Sequence, residues 1–126
     1  MKNLNVTFSI IIFFAFVSAS FSQEKTYTSK DTEISAEVGE NFTISLSSNQ
    51  STGYSWSVGM ISDNSQVVVT GMDYDLPDNA KTGQGGDEVW HLKAVATGTV
   101  KLMFYYARSW EKDVPVDQVV YNVTIK

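Results

Sequence analysis

Asn41-Phe42-Thr43-Ile44-Ser45-Leu46 decides the fold of this chain. Phe42, Ile44 and Leu46 alternate with Asn41, Thr43 and Ser45. A period of two is the mark of a strand with one face buried and one face wet. The pattern extends in both directions. Upstream, Ile34 to Val38 reads as a short strand, and Gly39-Glu40 as the turn that follows it. Downstream, Tyr54, Trp56 and Val58 resume the alternation. Gln66 to Thr70 is β-branched and reads as a strand, with Gly71 as a bulge or bend. Trp90, Leu92 and Ala94 then share one side, with His91 and Lys93 on the other. After a turn at Thr97-Gly98, Val100, Leu102, Phe104 and Tyr106 form an inward row, and Val119, Tyr121, Val123 and Ile125 close the chain. Gln23 to Lys30 is polar and reads as a loose arm. No segment carries a convincing apolar period near 3.6. About seven short strands with turn signals between them predict an all-β fold, an immunoglobulin-like antiparallel β-sandwich. A closed β-barrel is the other all-β solution. Trp56 resembles the core tryptophan of immunoglobulin-like domains.

The first stretch of the 126-residue chain stands apart from this pattern. Lys2 precedes an unbroken apolar run from Ile10 to Val17, followed by the small residues Ser18, Ala19, Ser20 and Ser22. That is the layout of a secretory signal peptide. A bilayer span needs about 20 apolar residues, and this run is shorter. Cleavage after Ala19 and cleavage after Ser22 both satisfy the small-residue preference. Residues 1–22 are therefore read as a signal peptide and 23–126 as one domain, exported to the periplasm or secreted. No stable membrane span is expected in the mature chain, and a monomer is expected. The formal net charge of −5 is unsuited to a phosphate backbone, so no nucleic-acid partner is expected. With 0 Cys, the domain must fold without disulfides.

The residues also argue against catalysis. There is no cysteine thiolate, and His91 is the only histidine. Nothing near it resembles a nucleophile elbow, and it reads as an outward-facing strand residue. Zinc sites usually draw on several His or Cys ligands. Asp73, Asp75 and Asp78 lack the spacing of a calcium loop and read as a solvated acidic loop. No metal, no other cofactor and no enzymatic activity are expected.

Three loop segments remain. Asn49-Gln50-Ser51-Thr52-Gly53-Tyr54, Gly83-Gln84-Gly85-Gly86 and Arg108-Ser109-Trp110 each fall between strand-like runs. Alone, the first reads as a structural turn or as a stiff wedge with Thr52 near its tip. The second reads as a flexible hairpin or as a loop whose backbone meets a partner closely. Trp110, set among Glu111, Lys112 and Asp113, is either folded back or offered outward. A sandwich gathers alternate loops at one end, so the three can form one binding tip.

Together and in this order, the segments resemble the chagasin family of protein inhibitors of papain-like cysteine proteases. That family carries an Asn-Pro-Thr-Thr-Gly-Tyr motif, a Gly-x-Gly-Gly motif and an Arg-Pro-Trp motif on an immunoglobulin-like sandwich. The similarity covers essentially the whole mature chain, with Trp56, Trp90, Tyr106 and Glu111 flanking the motifs as in family members. Gln50 and Ser109 stand where the family has proline, and Ser51 where it has threonine. The resemblance implies a reversible inhibitor whose partner is a papain-like cysteine protease. Asn49, Ser51, Thr52, Gly53 and Tyr54 would form the wedge, with Ser51 to Gly53 over the catalytic cysteine. Gly83, Gly85 and Gly86 would let backbone lie against the protease. Trp110 would pack on a cleft wall, with Arg108 orienting its loop. The missing prolines leave affinity and target choice open. They also leave room for a second expectation, a non-inhibitory immunoglobulin-like module that binds a surface protein or glycan.

Overall fold

A computed structural model describes residues 24–60 and 65–126. The proposed signal peptide, residues 1–22, lies outside the described residues. Among the described residues, eight strands form the domain: β1 (Lys25–Tyr27), β2 (Glu33–Ala36), β3 (Asn41–Ser48), β4 (Tyr54–Met60), β5 (Val67–Asp75), β6 (Gly86–Ala94), β7 (Gly98–Arg108) and β8 (Asp117–Ile125). They make two four-stranded sheets, ordered β1-β3-β6-β5 and β2-β8-β7-β4.

The long strands pair antiparallel, as expected of the sandwich architecture. The two short edge strands do not: β1 runs parallel to β3, and β2 parallel to β8. Alternation tells a strand from a helix but carries no direction, so this was not readable. The expected loose arm at 23–30 likewise contains β1. Its anchor is Tyr27, whose ring meets Phe42 edge-on with centroids 6.1 Å apart. Three residues are too few to show a period. The pairing of β5 with β6 slips between Val69 and Gly71, the bulge expected there. Asp73 and Asp75 belong to β5 itself and not to an acidic loop.

The inward rows of the two sheets meet in one core. Phe42, Ile44, Leu46, Val67, Leu92 and Ala94 come from one side, and Ile34, Trp56, Val100, Leu102, Phe104, Tyr121, Val123 and Ile125 from the other. Phe104 sits at its centre, edge-on to both Trp90 and Tyr121. Truncating such a ring to alanine costs about 3–5 kcal/mol. Tyr121 is fully buried, and its hydroxyl donates to the Thr28 carbonyl at 2.9 Å. This bond ties β8 to the turn between β1 and β2. Burial, reinforced by the charge of Asp31, pushes the Tyr121 pKa from 10.0 up to about 12.

One buried polar group joins the sheets. Glu88 on β6 is fully buried and accepts the Trp56 backbone N–H of β4 at 3.0 Å. β4 is an edge strand, paired only with β7. Glu88 thus supplies, from the opposite sheet, an acceptor for a backbone donor that no neighbouring strand reaches.

Strand direction fixes what lies at each pole. β3, β5 and β7 all run toward one end, and β4, β6 and β8 start from it. That pole carries the connections 49–53, 76–85 and 109–116. The opposite pole carries 37–40 and 95–97, together with Lys25 and Lys126.

Candidate functional site

The three loops with the sequence motifs share one pole, and the first touches each of the other two. In the first loop, Gln50–Thr52 form a single 3-10 turn. Asn49 caps it: its Oδ1 accepts the Ser51 N–H at 3.2 Å and also the Ser51 hydroxyl. The Thr52 hydroxyl donates back to the Asn49 carbonyl at 2.6 Å. Gly53 ends the turn at φ 83°, the left-handed region that favours glycine. Asn, Ser and Thr here close the loop on itself, which is why this polar run is a turn and not a ragged connection.

The second loop is tied to the first. The Asn49 amide Nδ2 donates to the Gly83 carbonyl at 2.9 Å. Gly85 packs against the same stretch, where a Cβ would lie 3.1 Å from the Ser48 carbonyl oxygen. Gly86 is already the first residue of β6, opposite Ser48. A Cβ on it would run into the Asp75 carbonyl oxygen. The structure therefore gives Gly86 an internal reason to be glycine: two strands close over it.

The third loop leans on the first from the other side. Trp110 is 67% exposed, yet its ring edge covers Gly53 so closely that a Cβ there would stand 2.8 Å from Cη2. The indole is offered to solvent and braced at one edge. Arg108 lies beneath it, its guanidinium carbon 4.5 Å from the Tyr54 ring centroid and 5.7 Å from that of Trp110. A cation between two aromatic faces holds both in place. Val114 and Val116 extend the exposed apolar surface of this loop.

Asn49, Ser51, Thr52, Gly53, Tyr54, Gly83, Gly85, Arg108 and Trp110 are thus brought together, with Gly86 just beneath. Sequence reasoning missed what supports them. The Tyr106 hydroxyl, on β7, accepts the Asn49 backbone N–H at 2.9 Å. Tyr106 also stacks on Trp56 at 5.0 Å and leans on Tyr54 at 5.4 Å. Tyr74, on β5, donates its hydroxyl to the Ser48 carbonyl at 3.0 Å. Alternation places Tyr106 inward, but no spacing says that a hydroxyl reaches a loop 57 residues away.

His91 faces outward, as read from the sequence, and its Nε2 lies 2.8 Å from Asp73 Oδ2. The Thr43 hydroxyl, beside it in register, is engaged with Thr26 and with the Lys25 carbonyl. Among the described residues no group of three or more metal-binding side chains occurs. No helix among them is long and apolar enough to cross a membrane.

A family model described as Chagasin family peptidase inhibitor I42 matches residues 35–125, well over half of the chain. The protein belongs to the chagasin family. The match runs through all three tip loops. Chagasin of Trypanosoma cruzi is 32% identical to this chain over 80 residues, covering 61% of this chain and 73% of chagasin. The fold is similar to that of EhICP2, a cysteine protease inhibitor of Entamoeba histolytica. The TM-score is 0.68 at 21% identity, covering 82% of this chain and 98% of EhICP2. It is also similar to that of PbICP-C, solved in complex with falcipain-2. There the TM-score is 0.50 at 19% identity, covering 82% of this chain and 92% of PbICP-C. The family is one of inhibitors, not of enzymes.

Proposed function

We propose that this chagasin-family protein is an exported, reversible inhibitor of papain-like cysteine proteases, and that its three-loop pole plugs the active-site cleft. One observation carries the reading. Loops distant in sequence meet at one pole, the first held by Asn49 on Gly83 and by Gly53 under Trp110. This makes a braced wedge with Thr52 on its turn. A wedge already held in its bound shape avoids much of the ordering cost of binding. Ser51, Thr52 and Gly53 would stand over the catalytic cysteine. Trp110, exposed and oriented by Arg108, would pack on a wall of the cleft. The wedge supplies neither a nucleophile nor a strained bond, so blockage is by occupancy and reverses on dissociation. The apolar run at Ile10 to Val17 supports export.

Titration of the purified protein into papain and a cathepsin tests the reading. Stoichiometric loss of protease activity, regained on dilution, is expected. Thr52→Arg and Trp110→Ala should each weaken inhibition while leaving the melting temperature within a few degrees. The loss for Trp110→Ala should be about 30-fold or more, the scale of a hot-spot tryptophan. Full protease activity at micromolar protein, across several such enzymes, would remove the proposal. Capture of a non-protease protein or a glycan by the same pole would then favour a plain binding module.

A further inference from the structure

Tyr74 lies on β5, a strand that carries none of the three motifs, yet its hydroxyl reaches the first loop twice. It donates to the Ser48 carbonyl at 3.0 Å and accepts the Gln50 N–H at 3.4 Å. Those two backbone groups flank Asn49, whose own N–H is held by the Tyr106 hydroxyl. Three consecutive positions, 48 to 50, are thus fixed by hydroxyls from two strands of opposite sheets. The β3 ladder ends at the Ser48–Gly86 pair, and Asn49 and Gln50 lie beyond it.

Residue 50 is the sensitive point. It opens the 3-10 turn, a position where a proline ring would set φ covalently. Gln50 has no such ring, and the N–H that a proline would lack is the group Tyr74 holds. A hydrogen bond from a neighbouring strand restrains the turn from outside.

We propose that Tyr74 is a positioning residue, whose hydroxyl locks the first loop in its inhibitory shape by holding the Gln50 amide. This rests on the first loop being the wedge. Tyr74 itself need not touch the protease.

A four-protein cycle tests it: wild type, Tyr74→Phe, Gln50→Pro and the double variant, each titrated against papain. Asn49 at φ −119° and ψ 89° lies outside the helical region that a following proline disfavours. Tyr74→Phe removes one oxygen and should weaken inhibition about three- to tenfold, mainly through faster dissociation. Gln50→Pro would bring ring carbon against the Tyr74 hydroxyl. In that background Tyr74→Phe should therefore be neutral or should improve inhibition. In the free proteins, Tyr74→Phe should speed hydrogen exchange at the Gln50, Thr52 and Gly53 amides by a similar factor.

Equal inhibition by wild type and Tyr74→Phe would overturn the proposal. So would an equal loss in both backgrounds, since the hydroxyl would then act elsewhere than on the residue 50 amide. If wild type leaves these proteases untouched, the inhibitory reading fails. The exchange rates then decide the positioning role separately, and unchanged rates in Tyr74→Phe would end it.

Discussion

Replacing the glycines of Gly83-Gln84-Gly85-Gly86 one at a time with alanine should give three different outcomes, because the structure gives each a different surrounding. At Gly86 the new Cβ runs into the Asp75 carbonyl oxygen and stands 3.0 Å from Leu76 Cδ2. Neither strand yields easily. Gly86 is paired with Ser48 on β3, and Asp75 with Asp87 at the end of β5. Relief means peeling the end of β5 from β6, losing one or two ladder hydrogen bonds as well as packing. Overpacking of 1–3 kcal/mol plus about 1 kcal/mol per bond puts the cost at about 2–4 kcal/mol. For a domain of this size that is on the order of 15 °C in melting temperature. At Gly83 the space is open, and only the positive φ of 81° resists, at about 1 kcal/mol. At Gly85 the backbone is unstrained, but the Cβ would lie 3.1 Å from the Ser48 carbonyl oxygen and 3.3 Å from Asn49 Cβ, so both must give by a little and the cost should be about 1 kcal/mol. Its effect should fall more on inhibition than on stability, because the atoms that must give belong to Ser48 and Asn49, where the first loop begins. Urea unfolding at 25 °C and thermal melts of the three variants provide the ranking. A Gly86→Ala protein melting within 3 °C of wild type, or less affected than Gly83→Ala, would refute the closure of β5 and β6 over this residue.

Two further outcomes follow from the buried polar groups. Tyr121 has its folded-state pKa raised from 10.0 to about 12, so its contribution is intact below pH 10 and is lost as pH rises through 12. A two-unit shift corresponds to about 2–3 kcal/mol. Stability measured from pH 9 to 12 should therefore fall more steeply in wild type than in Tyr121→Phe, and parallel curves would contradict this. Glu88→Gln keeps an acceptor for the Trp56 N–H and should cost less than about 1 kcal/mol. Glu88→Leu leaves that donor buried and unpaired, costing about 1–3 kcal/mol more, and equal denaturant midpoints for the two would refute the bridging role.

The sequence reading reached the sandwich because Phe42, Ile44 and Leu46, and then Val100, Leu102 and Phe104, alternate without a break. Buried faces impose that period whatever their neighbours are. Pairing direction leaves no such trace. The parallel edges β1 and β2 are invisible in three or four residues, and β1 is held by partners distant in sequence, the ring of Phe42 against Tyr27 and the hydroxyl of Thr43 against Thr26. At the tip, the turn built by Asn49, Ser51, Thr52 and Gly53 was legible because the bonds that close it are local. Tyr74 and Tyr106 were not, since a tyrosine in an inward or edge row looks the same whether its oxygen meets water or a distant amide. Gly86 illustrates the converse. A glycine motif was visible, but only the approach of Asp75 separates the glycine required by the sheet from those that line the surface.

Lys25 and Lys126 both sit at the pole away from the three loops. A label or bead attached at Lys25 or Lys126 would therefore hang below the domain and leave the indole and Thr52 facing forward. The molecule comes with its handle at the base. Held at Lys25 or Lys126 on a solid support, it would present the three-loop pole outward without reorientation.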